Sequence, residues 1–253
     1  MIALSVNLNK IALIRNSRDT TNPSVPDHAQ MCIDAGADGI TVHPRPDQRH
    51  IRAQDCFDLM KMLSVEFNIE GNPFSGPRKS EREGVSDYPG FMELVRQIRP
   101  AQCTLVPDTD GQLTSDHGFD LTRDGERVAP LIAELKSLGI RTSLFMDPDP
   151  EQIRLAAQTG TDRIELYTES YADAFKSGQN LEAVFASFIT AAQIAAEEGL
   201  ELNAGHDLDL NNLPRFATVP GLLEVSIGHA LTVDAIRMGL ANAVAAYQKA
   251  LGK

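Results

Sequence analysis

The run Ala35-Gly-Ala-Asp-Gly-Ile-Thr-Val-His43-Pro-Arg45 contains the junctions that indicate the fold of this chain. Gly36 follows an amphipathic stretch and supplies the left-handed residue that commonly ends a helix. The short apolar and β-branched segment from Gly39 to Val42 predicts a strand. His43 and Arg45 come directly after that segment, so the sequence predicts a cationic cluster at the carboxyl end of a strand.

Further short apolar runs recur along the chain and alternate with amphipathic stretches. The predicted strands are Ala3 to Leu8, Gly39 to Val42, Glu66 to Ile69, Gln102 to Val106, Arg141 to Phe145, Arg163 to Leu166, Glu201 to Ala204 and Leu223 to Ile227. The predicted helices are Asp27 to Ala35, Ala53 to Leu63, Phe91 to Ile98, Glu126 to Leu138, Glu151 to Gln158, Leu181 to Glu198 and Thr232 to Leu251. Eight strands that each precede a helix or turn are typical of an α/β fold, the (β/α)8 TIM barrel. A doubly wound sheet fits less well, because no G-x-G-x-x-G motif follows the first strand.

The length of 253 residues fits one such barrel, so we expect residues 1–253 to form a single domain with extra helical and loop elements. Two long polar segments, 72–89 and 108–127, interrupt the alternation of strands and helices. Loops this long in a compact fold are typical of lids or interface elements, and we expect such a role for each.

Composition limits the class of protein. A net charge of -12 argues against a nucleic-acid partner, which needs a broad basic surface, but leaves room for a small phosphorylated substrate. No stretch resembles a membrane span, and Met1 to Asn7 lacks a charged leader and a cleavage site. Cys32, Cys56 and Cys103 form no Cys-x-x-Cys pair and are odd in number, which favours reduced thiols in a cytoplasmic protein.

Polar residues collect where the predicted strands end. They are Asn7, Asn9, Lys10, His43, Arg45, Glu70, Thr104, Asp108, Asp147, Glu165, Tyr167, His206 and His229. The carboxyl ends of barrel strands form the face that holds the active site in this architecture. Because imidazole titrates near neutral pH, histidines among arginines at that face indicate proton transfer on an anionic substrate. For a single residue such as Glu70, a solvated rim position is the simpler interpretation, and the convergence of many residues outweighs it.

An ordered set of motifs covers almost the whole chain. It consists of Val6-Asn-Leu-Asn-Lys-Ile-Ala12, Gly36 to Arg45, Arg49-His-Ile51, Asn68-Ile-Glu70, Leu105-Val-Pro107, Asn203-Ala-Gly-His206 and Ile227-Gly-His-Ala230. Each motif alone is weak evidence, but their order is specific. The set resembles the pyridoxine 5'-phosphate synthase family.

The resemblance implies condensation of 1-deoxy-D-xylulose 5-phosphate with 3-amino-2-oxopropyl phosphate to pyridoxine 5'-phosphate, phosphate and water. Such a sequence of imine formation, eliminations and ring closure needs acids and bases and neither a redox cofactor nor a metal. By resemblance, His43 and Glu70 accept protons and His206 donates one. The family also implies a homo-oligomer, an octamer.

The same resemblance, together with the strand-end pattern, predicts the substrate-binding residues. These are Asn7, Asn9, Lys10, Arg18, Arg45, His50, Thr104, Asp207, Gly228 and His229. One phosphate is expected at the Gly-His turns after the last two strands, where glycine lets backbone amides approach an anion. The other phosphate is expected near Arg45 and His50, with Arg18 acting across a subunit contact. The simpler interpretations are a tight turn at Gly228 and a surface ion pair at Arg18.

Two departures from the family pattern fall at the site. Asn9-Lys10 replaces an Asp-His pair, and Asp207 replaces a glycine, which indicates a subtype of the family. Lys10 can donate to a hydroxyl or a phosphate, but it shuttles protons near neutral pH only if burial lowers its pKa. Asp207 either pairs with Lys10 or repels a phosphate and changes substrate preference.

Three other functions stay open. A Schiff-base aldolase or another sugar-phosphate enzyme of the same fold would use Lys10 as nucleophile, and borohydride trapping would detect it. A metal-dependent hydrolase would need a ligand spacing that the sequence lacks, such as His-x-His on the first strand. A non-catalytic phosphate binder would have no use for His43, Glu70 and His206 together.

Overall fold

The computed structural model describes residues 1–18 and 20–253, and within them eight parallel strands close into a barrel in sequence order. The strands are β1 Ala3–Asn7, β2 Gly39–Val42, β3 Glu66–Gly71, β4 Gln102–Leu105, β5 Arg141–Met146, β6 Arg163–Tyr167, β7 Glu201–Gly205 and β8 Leu222–Ile227. Each strand pairs in parallel with the next, and β1 pairs with β8 to close the barrel. The predicted (β/α)8 barrel is confirmed, and each predicted strand is present with ends within two residues.

Helices surround the barrel. They are α1 Asn9–Asn16, α2 Val25–Asp34, α3 Ala53–Met62, α4 Phe91–Ile98, α5 Leu121–Ser137, α6 Pro150–Gln158, α7 Glu169–Ser177, α8 Leu181–Glu197, α9 Leu213–Phe216, α10 His229–Met238 and α11 Leu240–Ala250. The prediction of one final helix from Thr232 to Leu251 was wrong, because the chain breaks at Gly239, which has a φ of +86°. That left-handed conformation suits glycine and ends α10.

Three helices, α1, α7 and α9, were not predicted. Thr168, which precedes α7, is a residue type that can cap, but its hydroxyl donates to the carbonyl of Gly205 instead. Leu8, which precedes α1, cannot cap a helix with its side chain, so that helix start carries no sequence signal. As a result, Lys10 does not end a strand, as the sequence suggested, but lies in the first turn of α1.

The apolar core lies between the sheet and the helices. Leu4 and Val6 on β1 are buried in it, while the alternating residue Ser5 belongs to a polar lining of the barrel. The Ser5 hydroxyl lies 2.6 Å from that of Thr41 on β2. Hydrogen bonds between strands that are not neighbours cross the interior.

Arg163 on β6 is the main donor inside the barrel. Its Nη1 donates to Oε1 of Gln102 on β4 at 3.2 Å and to Oδ1 of Asn203 on β7 at 3.4 Å. It also lies 3.3 Å from a carboxylate oxygen of Glu224 on β8. The interior at the amino-terminal end of the barrel is therefore held by polar contacts, and the open mouth lies at the carboxyl end.

The two long loops take different places. Segment 72–89 is an excursion, as predicted, closed by the backbone pair Arg78 and Tyr88, and Tyr88 is buried. The second loop was predicted over 108–127, but α5 begins at Leu121 because the Asp120 carboxylate caps it, so only its first part is a loop. We refer to residues 106–120 as the β4–α5 loop. Among the described residues, no helix is both long and apolar enough to cross a membrane.

Candidate active site

A cavity of about 390 Å³ opens at the carboxyl ends of the strands. Most of the residues predicted for the site line it: Asn7, Asn9, Lys10, His43, Arg45, His50, Glu70, His206, Asp207, Gly228 and His229. They come from both ends of the chain and from strands on opposite sides of the barrel. The closed barrel therefore brings the predicted proton acceptors and donor to one common space.

Two predicted residues are not brought to this space. Thr104 is fully buried below the cavity, where its hydroxyl lies within hydrogen-bond distance of Asn68 and Glu165. Arg18 is exposed just after α1 and is not among the residues that line the cavity in the described chain. Thr104 therefore lies beneath the cavity and contacts the residues there. The role predicted for Arg18 stays a prediction.

Glu70 occupies the centre of the site. Its Oε2 lies 3.8 Å from Nδ1 of His43 and accepts a hydrogen bond from the side-chain amide of Asn7 at 3.3 Å. Its Oε1 lies 3.5 Å from the hydroxyl of Ser226 on β8. Asn9, at the start of α1, accepts a hydrogen bond from the backbone amide of His43 at 2.9 Å. The first turn of α1 thus helps to hold His43 beside Glu70.

Burial raises the pKa of Glu70 above its ordinary value of 4.5, and the nearby carboxylate of Asp108 raises it further. Glu165 on β6 lines the floor of the same cavity, and burial followed by the charge of Glu70 raises its pKa as well. Two buried carboxyls that repel each other do not both ionise readily. The pair therefore retains a proton at a pH where an exposed carboxyl would have lost it.

The two histidines after β2 are held neutral. Burial lowers the pKa of His43, and the positive charge of Arg45 lowers it further. Burial and Arg45 likewise lower the pKa of His50 to about 3. The Nδ1 of His50 accepts a hydrogen bond from the backbone amide of Ile51 at 2.9 Å, so its proton is assigned to Nε2. His43 is accordingly unprotonated, and the Nε2–H of His50 can donate a hydrogen bond.

The β4–α5 loop crosses the mouth of the cavity. Arg45 forms a buried ion pair with Asp108 of this loop, and both Arg45 and Arg49 donate to the backbone carbonyl of Gln112 at 3.1 Å. The loop also contributes Leu113, Thr114 and Ser115 to the lining. Among the described residues, none from excursion 72–89 lines this cavity, so the lid position belongs to the β4–α5 loop.

The sequence placed Glu165 among the polar strand ends but gave it no role in the site, and it did not predict several other lining residues, among them Thr114 and Ser226. Glu165 had a visible signal, because it is a single carboxylate between Ile164 and Leu166 in a strand. Thr114 lies in a polar loop where nothing in the sequence distinguishes it, yet its hydroxyl is 2.9 Å from Nε2 of His206.

Gly205, at the end of β7, leaves room for Glu165. A Cβ atom at position 205 would lie 2.3 Å from Oε1 of Glu165. We expect Gly205→Ala to displace that carboxylate, to lower stability by about 1–3 kcal/mol and to reduce turnover by up to about 10²-fold. Urea denaturation and steady-state kinetics measure the two effects.

The matched control is Gly125→Ala in α5, where the added methyl group would meet only the Cβ of Leu121, at an ordinary 3.8 Å. There the substitution should stabilise the protein by about 0.5–1 kcal/mol, because alanine favours helix more than glycine does. Equal behaviour of the two variants would contradict the close approach at Gly205.

The raised pKa of Glu165 predicts a pH dependence of stability. A carboxyl with a higher pKa in the native state binds more protons than in the unfolded state between the two pKa values. The free energy of unfolding should therefore fall as the pH rises above the ordinary value of 4.5 toward the native pKa. Glu165→Gln should remove part of this fall, as measured by urea denaturation at about pH 5 and pH 9. An identical pH dependence in the variant would show that Glu165 is not held protonated.

A metal site would need several ligating side chains placed close together. Across residues 1–18 and 20–253, no group of three or more His, Cys, Asp or Glu side chains is placed to hold a metal ion. The hydrolase alternative therefore gains no ligand set from the geometry.

The chain is similar to known proteins over nearly its whole length. The model of the family described as "Pyridoxal phosphate biosynthesis protein PdxJ" matches residues 4–253. A protein of Xanthomonas campestris pv. campestris (strain B100) named "Pyridoxine 5'-phosphate synthase" is 57% identical over 248 residues, which cover 96% of this chain and 94% of that protein. A protein of Xylella fastidiosa (strain 9a5c) with the same name is 52% identical over 248 residues, covering 96% of this chain and 92% of its own.

Solved structures resemble the chain in fold alone. A phosphoribosyl anthranilate isomerase has a TM-score of 0.57 at 11% identity, covering 100% of this chain and 99% of its own. A structure described as KGPDC from Streptococcus mutans has a TM-score of 0.59 at 10% identity, covering 100% of this chain and 98% of its own. At these identities the likeness extends to the barrel and not to the chemistry.

Proposed function

Because this chain belongs to the family of pyridoxal phosphate biosynthesis proteins PdxJ, we propose that it acts as a pyridoxine 5'-phosphate synthase. The reaction joins 1-deoxy-D-xylulose 5-phosphate and 3-amino-2-oxopropyl phosphate and yields pyridoxine 5'-phosphate, phosphate and water. The observation that carries the proposal is the pairing of Glu70 with His43 at 3.8 Å in a cavity that they share with His206.

The chemistry asks for proton acceptors on one side of the bound intermediate and a donor on another. Neutral His43 and the carboxyl of Glu70 serve as acceptors, since they lie beside each other after β2 and on β3. His206 serves as the donor from the end of β7. A buried carboxyl with a raised pKa can take up a proton at neutral pH and return it, which suits a base in a sequence of transfers.

Two phosphate groups need separate sites in a cavity of this size. One phosphate lies at the start of α10, where Gly228 and His229 line the cavity and the amino-terminal amides of the helix favour an anion. Gly228 is needed there, because a Cβ atom would lie 3.0 Å from the Cβ of Asn7. The other phosphate lies near Arg45, His50 and Lys10.

We also propose an oligomeric assembly and a cytoplasmic location for this protein. Arg18 acts at the site of a second subunit in a homo-oligomer, an octamer by family resemblance. The protein works in the cytoplasm on phosphorylated small molecules and binds no nucleic acid, in keeping with its net charge of -12.

Incubation of the purified protein with both phosphorylated ketones tests the function. We expect pyridine-ring absorbance and inorganic phosphate to appear together, in equal amounts, only when both substrates are present. Phosphate release without the ring signal would contradict the proposal.

A second arm of the experiment adds borohydride to the protein with the pentulose phosphate alone. An adduct on Lys10 found by mass spectrometry, combined with no pyridine product, would replace the proposal by the Schiff-base aldolase. Lys10→Arg, which keeps the positive charge but cannot form the imine, should then abolish turnover, whereas under our proposal it should retain part of it.

A further inference from the structure

We propose that Asp207 is a positioning residue for His206: its carboxylate binds the Nδ1–H of the imidazole, directs Nε2 to the substrate and stabilises the protonated ring. This inference rests on the proposed function, in which His206 is the proton donor. It assigns a use to the position at which the family pattern has a glycine.

The geometry around His206 fixes both ring nitrogens. Nδ1 lies 2.8 Å from Oδ2 of Asp207, and Nε2 lies 2.9 Å from the hydroxyl of Thr114. The rings of His206 and Tyr167 pack in a T-shaped arrangement with a centroid distance of 5.2 Å. An ionised carboxylate only accepts hydrogen bonds, so Nδ1 carries the hydrogen and Nε2 is the nitrogen that exchanges its proton.

The backbone also favours a functional role over a chance contact. His206 has a φ of +92°. Residues other than glycine adopt this backbone conformation rarely and at a cost in free energy. In this conformation the imidazole lines the cavity, and the carboxylate of the next residue lies against Nδ1. Pairing with Lys10 was one of the two roles that the sequence left open for Asp207, but among the described contacts its ion-pair partner is His206.

Other charged and titratable groups also face His206 and its partner. Glu165 on β6 and His43 after β2 interact electrostatically with His206, and His229 at the start of α10 interacts with Asp207. Burial opposes ionisation of Asp207, yet its hydrogen bond and charge interaction with His206 prevail and lower its pKa. Asp207 is thus a carboxylate in direct contact with the ring.

The pairing has a defined consequence for proton donation. The acid must be the imidazolium, which gives its Nε2 proton to a leaving oxygen and becomes the neutral ring with hydrogen on Nδ1. The carboxylate at Nδ1 interacts favourably with the charged ring and holds it in the orientation from which Nε2 gives its proton. The neutral ring that remains is the tautomer ready to be reprotonated at Nε2.

Asp207→Asn tests the inference, because it keeps the size and an acceptor oxygen but removes the charge. Ring ¹⁵N NMR titration of the histidines, with the His206 signal assigned through His206→Gln, should place the titration midpoint of His206 about one pH unit lower than in the wild type. The high-pH limb of the profile of turnover against pH should shift to lower pH by the same amount, because the donor then loses its proton at lower pH. Far-ultraviolet circular dichroism confirms that the variant is folded.

Asp116→Asn is the matched control. This exposed carboxylate lies on the same loop as Thr114 but contacts His117 and Gln112, so its removal should leave the His206 titration within about 0.2 pH units. An unchanged His206 midpoint in Asp207→Asn overturns the proposal, and so does a shifted midpoint with an unshifted turnover profile. The NMR titration needs no turnover. If the wild type makes no pyridoxine 5'-phosphate, the proposed function fails while the Asp207–His206 pairing is still decided by the midpoint.

Discussion

Glu70→Gln is expected to reduce turnover by about 10²-fold or more while the protein stays folded. The amide has nearly the volume of the carboxyl and can still contact Asn7 and Ser226, but it cannot accept a proton from the reacting intermediate. Because burial raises the pKa of Glu70 and so disfavours its ionised form, the neutral amide should be tolerated at this position and stability should not fall.

Steady-state kinetics with both ketones, alongside thermal unfolding, measure these effects. Glu66→Gln at the opposite end of β3 is the matched control, because Glu66 pairs with Arg141 away from the cavity mouth. That variant should keep turnover within about threefold of the wild type. Near-normal turnover of Glu70→Gln would remove Glu70 from the mechanism.

Arg15→Leu is expected to cost about 3–5 kcal/mol of stability, since it leaves a buried carboxylate without its partner. Arg15 in α1 is 5% exposed and binds Asp55 through two contacts of 2.5 and 2.9 Å. The Nη2 of Arg15 also donates to the backbone carbonyl of His50 at 3.0 Å. The same substitution should therefore loosen the segment that carries His50 into the cavity and raise KM.

Arg96→Leu is the control for this prediction. Arg96 also contacts a carboxylate, Glu134, but its side chain is 42% exposed, so its loss should cost at most about 1 kcal/mol. Urea denaturation of both variants at one pH separates the two cases. A similar small cost for both would show that the pair between Arg15 and Asp55 is not buried in solution.

The fold could be predicted because strand periodicity and helix-ending glycines repeat along the chain. The run around Gly36 and His43 contains the entire unit of helix end, strand and polar strand end. What failed were elements without such signals: α1 begins directly after β1, with no capping side chain at Leu8. The long last helix was divided because Gly239 adopts a left-handed conformation, which composition alone does not reveal.

The site could be predicted where its residues come from strand ends, since barrel closure brings these together regardless of sequence separation. His43, Glu70 and His206 met in one cavity for that reason. Thr104 did not line the cavity, because whether a strand residue reaches the cavity or lies below it depends on its height in the barrel. Thr114 was missed because its place depends on how the β4–α5 loop folds back through Arg45 and Asp108.

Arg163 on β6 and Asn203 on β7 both donate to the Gln102 side chain on β4, a strand that neighbours neither, so shortening Gln102 leaves several donors without their acceptor. A mutational scan of this chain should accordingly find two zones of low tolerance, one at each end of the barrel axis. Sensitivity to replacement at Gln102 or Asn203 would reflect the architecture of the barrel and should not be taken as a sign of a second reaction centre.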